Sequence, residues 1–430
     1  MPATETSESL ETLMADPRLV ELCELQRIGD EVLDVIDLSE NQHSDVLAWM
    51  LDAKEGHGQG DEILRDLLVS ASTLAATDAS GLDRRGTTAK FFAEWPPSRI
   101  RTTGFGATFI ARELGMSKSD RVDLFVIDAQ NKFVLLVENK AGARHREEQL
   151  DRYRESFKAA VAANSRLKEF DQVYIAIDRE FDDEETASRP ASSSWLHLGY
   201  DWLKTSATRA LMHVARGNAA ARLVVSYCNR QTDWEDPNTA KCVNLAAALH
   251  QSYPAAVKHL VGFSQGRLER EWLTNPKEPE PYSLFVLQNK GAIALLKEMQ
   301  GMASVKAAIT ARLPSLPADN VEYKRTWLDM CPTGWEPFMG DQWWPVFLNV
   351  RYARDSRTKY RLSLCWNGKS ARTPSEAEDL RRRLTSVEPK FGKHIDSRWR
   401  RVELERGVEL STLLDRLVAI DKRLGQELMS

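Results

Sequence analysis

Two carboxylates and one amine stand where a folded chain normally keeps apolar side chains. Asp123 interrupts the apolar run RVDLFVID, and Glu138 and Lys140 close the next run, KFVLLVENK. Side chains of a strand alternate between its two faces, so Glu138 and Lys140 share one face and Asn139 takes the other. Pairing the two runs as a hairpin brings Asp123 to the same face. A plainer account makes Glu138 and Lys140 an ion pair on a solvent-facing edge strand, and Asp123 a strand-end partner of Arg121. The apolar residues around them argue for burial, where an unpaired charge is costly. A functional site is the stronger reading.

Such a set suits hydrolysis of a phosphodiester. Hard carboxylate oxygens recruit Mg²⁺, which usually takes one or two protein carboxylates and leaves positions for phosphate and water. The ion polarises the phosphoryl oxygen and lowers the pKa of a bound water. A neighbouring lysine positions that water or stabilises the charge that develops in the transition state.

The elements that must hold these groups are legible from periodicity. Apolar spacing predicts a helix over residues 18–36 and a second across SENQHSDVLAWMLD, with Ser39 and Gln42 placed to form a capping box. Gly56, Gly58 and Gly60 mark a loop around His57, and EILRDLLVSASTLAA is again helical. The stretch Gly81–Gly106 is expected to be irregular or short-stranded. The two apolar runs, separated by Ala129, Gln130 and Asn131, read as a hairpin. A helix (REEQLDRYRESFKAAVAA) and a third strand (DQVYIAID) follow. This order predicts an α/β fold with a central mixed sheet flanked by helices. Residues 182–194 look like a surface loop, and WLHLGYDWLKTSATRALMHVA and most of 208–275 look helical.

Judged on residue type, Glu40 is as much a first-turn acid favoured by the helix dipole as a metal ligand. Gln149 and Tyr153, one helical turn apart, are as much surface and core residues as site residues. Taken together, these segments resemble the PD-(D/E)XK nuclease superfamily. The R-V-D at Asp123 and the E-N-K of Glu138-Asn139-Lys140 match its core motif, with Val122 in place of the usual proline. Q-L-x-x-Y from Gln149 to Tyr153, and E-N-x-x-S from Glu40 to Ser44 with the GHGQGD loop beyond it, resemble a branch of small nucleases associated with defence and mobile elements. The likeness spans about residues 36–205 and includes Tyr200–Trp202.

The resemblance implies a restriction-endonuclease-like core. It implies Mg²⁺, with Mn²⁺ as substitute, held by Glu40, Asp123 and Glu138, with the Asn139 carbonyl as an added ligand. Lys140 would then act on the attacking water and Gln149 would orient water or phosphate, while Tyr153 serves packing. DNA is the expected substrate, and defence against phage or mobile DNA the expected setting. A reading from another class stands beside it: a catalytically inactive nuclease-fold module that binds nucleic acid or a protein partner.

At 430 residues the chain is too long for one core. The PKEPEP stretch, Pro276–Pro281, reads as a linker between a nuclease-like domain over 1–275 and an α+β domain over 282–430, the latter of unknown role in recognition or regulation. Alternation in VEYKRTWLDM, PVFLNVRYA and KYRLSLCW predicts an antiparallel meander, followed by helices at SEAEDLRRRL and STLLDRLVAIDKRLGQEL. Five scattered cysteines without a CxxC spacing argue against a disulfide framework and a zinc site. His43 and His57 are isolated and are left outside the catalytic set.

The net charge of −5 does not fit a protein that coats nucleic acid. Yet residues 1–80 hold 4 Lys/Arg against 18 Asp/Glu, and residues 351–406 hold 16 against 8, so contact with a polyanion must be local. Trp327, Trp335, Trp343, Trp344, Trp366 and Trp399, together with Arg381–Arg383, offer either a nucleic-acid surface or an ordinary core and a solvated helix face. No apolar run is long enough to cross a bilayer, and the start of the chain is acidic, so a cytoplasmic location is expected. Homo-oligomerisation is left open.

Overall fold

The apolar residues gather into separate cores, and neighbours in sequence do not always share one. The computed structural model describes residues 3–28, 33, 38–77, 80–113, 121–140, 145–179, 181, 190–232, 234–263, 281–339, 343–353, 356, 358–393 and 399–429. The chain divides into two units: Asp30–Asp236, and Met1–Gly29 together with Pro237–Ser430. The chain opens with α1 (Ala3–Met14) and α2 (Pro17–Ile28), which belong to the second of these. The rest of the helix expected over 18–36 lies, apart from Leu33, outside the described residues.

The Asp30–Asp236 unit is built on a five-stranded mixed sheet. Its helices begin with α3 (Glu40–Leu51), α4 (Glu62–Ala75), α5 (Thr87–Glu94) and α6 (Pro97–Thr102). The strands β1 (Phe109–Arg112), β2 (Leu124–Asp128) and β3 (Phe133–Lys140) come next, then α7 (Glu147–Ala163), β4 (Asp171–Asp178), β5 (Leu196–Leu198), α8 (Leu203–Ala215) and α9 (Arg222–Gln231). The strands lie in sequence order. The β1–β2 and β2–β3 pairs are antiparallel, and β3–β4 and β4–β5 are parallel.

Central β3 is buried along Phe133–Asn139, which is why it reads as a continuous apolar run rather than an alternating one. Its residues nonetheless alternate between two cores. Leu135 and Val137 join Leu47, Leu67 and Val224, whereas Val134 and Leu136 join Leu150, Tyr153 and Phe157 of α7. The buried spacing Leu150, Tyr153, Phe157, Val161 is what makes α7 a helix that covers one sheet face.

Ser39 and Gln42 form the capping box at the start of α3, the Ser39 N–H donating to Gln42 Oε1 at 2.8 Å. Two expectations are corrected. The Gly81–Gly106 stretch carries α5 and α6 rather than irregular chain, with Thr88, Phe91, Phe92 and Ile100 buried. Leu196–Leu198, expected within a helix, forms β5. Of the loop expected over 182–194, residues 182–189 lie outside the described residues.

The other unit combines α1 and α2 with α10 (Pro237–Ser252), α11 (Pro254–Val261), α12 (Pro281–Gln288) and α13 (Lys290–Arg312), followed by a second sheet. That sheet is antiparallel, in order β10-β9-β8-β7-β6. Its strands are β6 (Val321–Tyr323), β7 (Trp327–Met330), β8 (Val346–Tyr352), β9 (Tyr360–Asn367) and β10 (Trp399–Val408). Helix α14 (Pro374–Val387) lies in sequence between β9 and β10, and α15 (Leu410–Met429) follows.

Leu13, Leu19 and Leu22 share one core with Val243, Leu249, Leu296, Met299 and Leu364. The division therefore falls at Asp236/Pro237, not in the 276–281 stretch, of which only Pro281 is described. Trp335, Trp344 and Trp366 are core residues, and Arg381, Arg382 and Arg383 are paired with Glu378 or Asp379 on their own helix. All five cysteines are buried, and none is in a disulfide. Among the described residues, no helix is long and apolar enough to cross a membrane.

Candidate active site

The end of β3 is where the sheet turns from hydrocarbon to charge. The β2–β3 register pairs Leu124 with Val137, so Asp123, one residue before β2, falls opposite Glu138. The Asn139 N–H donates to Asp123 Oδ2 at 2.8 Å, and the Glu113 N–H donates to the Asp123 carbonyl at 3.2 Å. The aspartate is thereby held at the point where the strand begins.

Glu138 is 2% exposed. Its Oε1 accepts a hydrogen bond from Gln149 Nε2 at 2.9 Å and lies 3.5 Å from Lys140 Nζ. Its Oε2 is buried and, among the described residues, has no hydrogen-bond partner. Burial, and after it the repulsion of the Asp123 carboxylate, pushes the Glu138 carboxyl up to about 8 against the partial opposition of Lys140. Burial also raises Asp123, opposed first by the Asn139 N–H and then by Lys140 and Arg112. Each carboxylate is therefore short of positive charge.

Lys140 is the cation already present. Burial pulls its ammonium down, but the hydrogen bond to Glu40, with Glu138 and Asp123 nearby, holds it above its ordinary value. Its Nζ lies 2.6 Å from Glu40 Oε1. Glu40, on the first turn of α3, is half exposed. From the neighbouring helix, Gln149 Nε2 also lies 2.9 Å from the Tyr153 hydroxyl, so Tyr153 both packs in the core and touches the site.

The residues singled out from the sequence thus come together: Asp123, Glu138, Lys140 and Gln149 in one cluster, with Glu40 joined to it through Lys140. The carboxylate of Glu40, expected as a metal ligand, meets the lysine in this structure. Among the described residues, no group of three His, Cys, Asp or Glu side chains stands together as a ready ligand set. The pair Asp123 and Glu138 fits a divalent ion. They are hard oxygen donors, one oxygen of Glu138 has no partner among the described residues, and Mg²⁺ commonly needs only one or two carboxylates.

His57 is buried beside Trp49, its Nε2 within 3.0 Å of the Asp52 carbonyl, and so serves the loop. Sequence reasoning passed over Arg112, which joins β1 to Asp45 of α3 at 3.2 Å and helps hold Asp123 ionised. A lone arginine on a four-residue strand gives no pattern to find.

Residues 30–229 match the model of the PD-(D/E)XK nuclease superfamily, a span that takes in the whole cluster. This part of the chain belongs to that superfamily, and its mixed sheet flanked by helices is consistent with a restriction-endonuclease-like fold. No curated protein and no solved structure matches the chain.

Proposed function

We propose that the Asp30–Asp236 unit is a Mg²⁺-dependent nuclease that hydrolyses phosphodiester bonds in DNA. Membership of a nuclease superfamily supports the reaction class. The observation that carries the finer reading is Glu138. A carboxylate raised first by its burial and then by a second carboxylate beside it, with an oxygen that no described residue bonds, is suited to hold a cation.

Asp123 and Glu138 would hold a divalent ion, which would supply Lewis-acid polarisation of the phosphodiester and activation of water. Lys140, kept protonated, offers N–H donors to the attacking water and to the charge that grows on the phosphate oxygens. Gln149 occupies one oxygen of Glu138 and so fixes the orientation of the carboxylate. Glu40 anchors the lysine from the α3 side.

Nicking of supercoiled plasmid in Mg²⁺ and in EDTA is the direct test. The wild-type chain cuts only with the metal, and Lys140→Ala lowers the rate by about 10²–10³. An undiminished Lys140→Ala would remove the lysine from the mechanism. Tight DNA binding without cutting in either Mg²⁺ or Mn²⁺ would instead make the unit a binding module. A setting in phage defence belongs to the same proposal. Cells carrying the gene resist infection and cells carrying Asp123→Ala do not; no protection from the intact gene would reject that setting.

A further inference from the structure

Residue 139 raises a separate question. Strand alternation turns its side chain away from Glu138 and Lys140 and into the layer of Leu135 and Val137, beneath α3 and α4. Packing would favour an apolar residue there, yet an asparagine sits at 0% exposure. Its amide is paired at both ends. Nδ2 donates to Ser44 Oγ at 3.1 Å, and Oδ1 accepts from the Tyr200 hydroxyl.

Both ends lead back to the first turn of α3. Ser44 Oγ, having accepted from Asn139, donates to the Glu40 carbonyl at 3.5 Å. The ring of Tyr200 lies edge-to-face with Tyr227 at 6.1 Å, and the Tyr227 hydroxyl donates to the His43 carbonyl at 3.3 Å. Ser44, Tyr200 and Tyr227 are each no more than 2% exposed. The backbone N–H of Asn139 meanwhile holds Asp123. One residue therefore ties the aspartate to β3 by its main chain and the helix bearing Glu40 to β3 by its side chain.

We propose that Asn139 is a positioning residue, whose side chain, through Ser44 and Tyr200, seats the first turn of α3 so that Glu40 meets Lys140. A buried polar network satisfied at every member fixes one arrangement of its elements, whereas hydrocarbon contacts tolerate small slides. The spacing of E-N-x-x-S then has a geometric meaning: Ser44 is one turn beyond Glu40 and reaches its carbonyl. Likewise the middle residue of E-N-K faces the opposite layer from its neighbours and serves the site from behind. The catalytic consequence rests on the nuclease reading above; the positioning itself does not.

The test uses the full chain with Asn139→Leu, Ser44→Ala and Glu40→Gln, singly and combined. Crystal structures of Asn139→Leu or Ser44→Ala should show the Glu40–Lys140 contact broken while the backbone N–H at position 139 still meets Asp123. Persistence of the Glu40–Lys140 contact in both would overturn the proposal, whether or not the protein cuts DNA. In plasmid cutting, misplacement by about an ångström can cost up to roughly 100-fold. We expect Asn139→Leu to lower kcat by about tenfold or more with KM within about twofold, and to add less than about twofold in the Glu40→Gln background. Equal losses in both backgrounds would mean a purely structural role and would also overturn it. If Asn139→Leu does not fold, Ser44→Ala carries the same comparison. Ser44→Thr, which keeps the hydroxyl, should restore activity; no recovery despite native folding would count against the chain of bonds. Absence of cutting by the wild-type protein would reject the functional reading and leave the crystallographic result to decide this one.

Discussion

Glu138 concentrates the physical tension of the site in one carboxyl. Its proton is held to about 8, against 4.5 for the ordinary group, first by burial and then by Asp123. Between those values the folded, metal-free chain keeps a proton that the unfolded chain has released. Stability is therefore lost as pH rises from about 4.5 to about 8, and the loss levels off above. Denaturant unfolding across that range should show the decline in the wild-type chain and a weaker one in Glu138→Gln; identical slopes would mean the carboxyl ionises freely. A divalent ion must displace the same proton, so Mn²⁺ affinity should climb by up to roughly tenfold per pH unit and flatten near 8. Gln149→Leu removes the donor to Glu138 Oε1 and leaves the carboxylate harder to ionise. Cutting by this variant should drop roughly tenfold at neutral pH and recover part of the loss at higher pH. Asp123, Glu138 and Lys140 were legible because charges inside apolar runs break a rule. The partners of Asn139 were not, because contacts such as Asn139–Ser44 join residues far apart in the chain.

The elements that carry the site differ in how plainly the sequence announces them. Strands β2, β3 and β4 are apolar runs of strand length, and α7 has a four-residue apolar stripe. Of these, β3 holds Glu138 and Lys140, α7 holds Gln149, and Asp123 immediately precedes β2. Strands β1 and β5 are four and three residues long, too short for alternation to register, and β5 runs almost directly into α8. Helices α5 and α6 were hidden by the glycines, prolines and arginines around them, although Pro97 sits at a helix start, where its missing N–H costs nothing. Orientation of α7 depends on Phe157, which is 1% exposed and meets Phe125 edge-to-face at 5.4 Å. Phe157→Ala should lower unfolding stability by about 3–5 kcal/mol, and the cutting rate of the surviving folded protein should fall as Gln149 loses its place. A change under about 1 kcal/mol would show that the α7 face is loosely packed.

At the scale of the whole molecule, two units were expected but their boundary was not legible. Prolines and charges in PKEPEP signal a linker, whereas the packing of Leu13, Leu19 and Leu22 with Val243, Leu249 and Leu296 is non-local and leaves no local mark. A polypeptide of residues 30–236 should accordingly melt cooperatively, while one of residues 1–275 should expose the apolar faces of α1, α2 and α10 and aggregate. Light scattering and thermal melts compare the two, and the opposite ranking would refute the division at Asp236. The site itself lies wholly inside the 30–236 unit, so the central claim can be tested there or in the full chain. That claim is a single divalent ion shared by Asp123 and Glu138. Anomalous diffraction from crystals soaked in Mn²⁺ is its most direct measurement. The account predicts one strong peak within coordination distance of Glu138 Oε2 and an oxygen of Asp123, absent in Glu138→Gln. No peak between these carboxylates in crystals of a protein that cuts DNA, or a peak that survives Glu138→Gln, would contradict it.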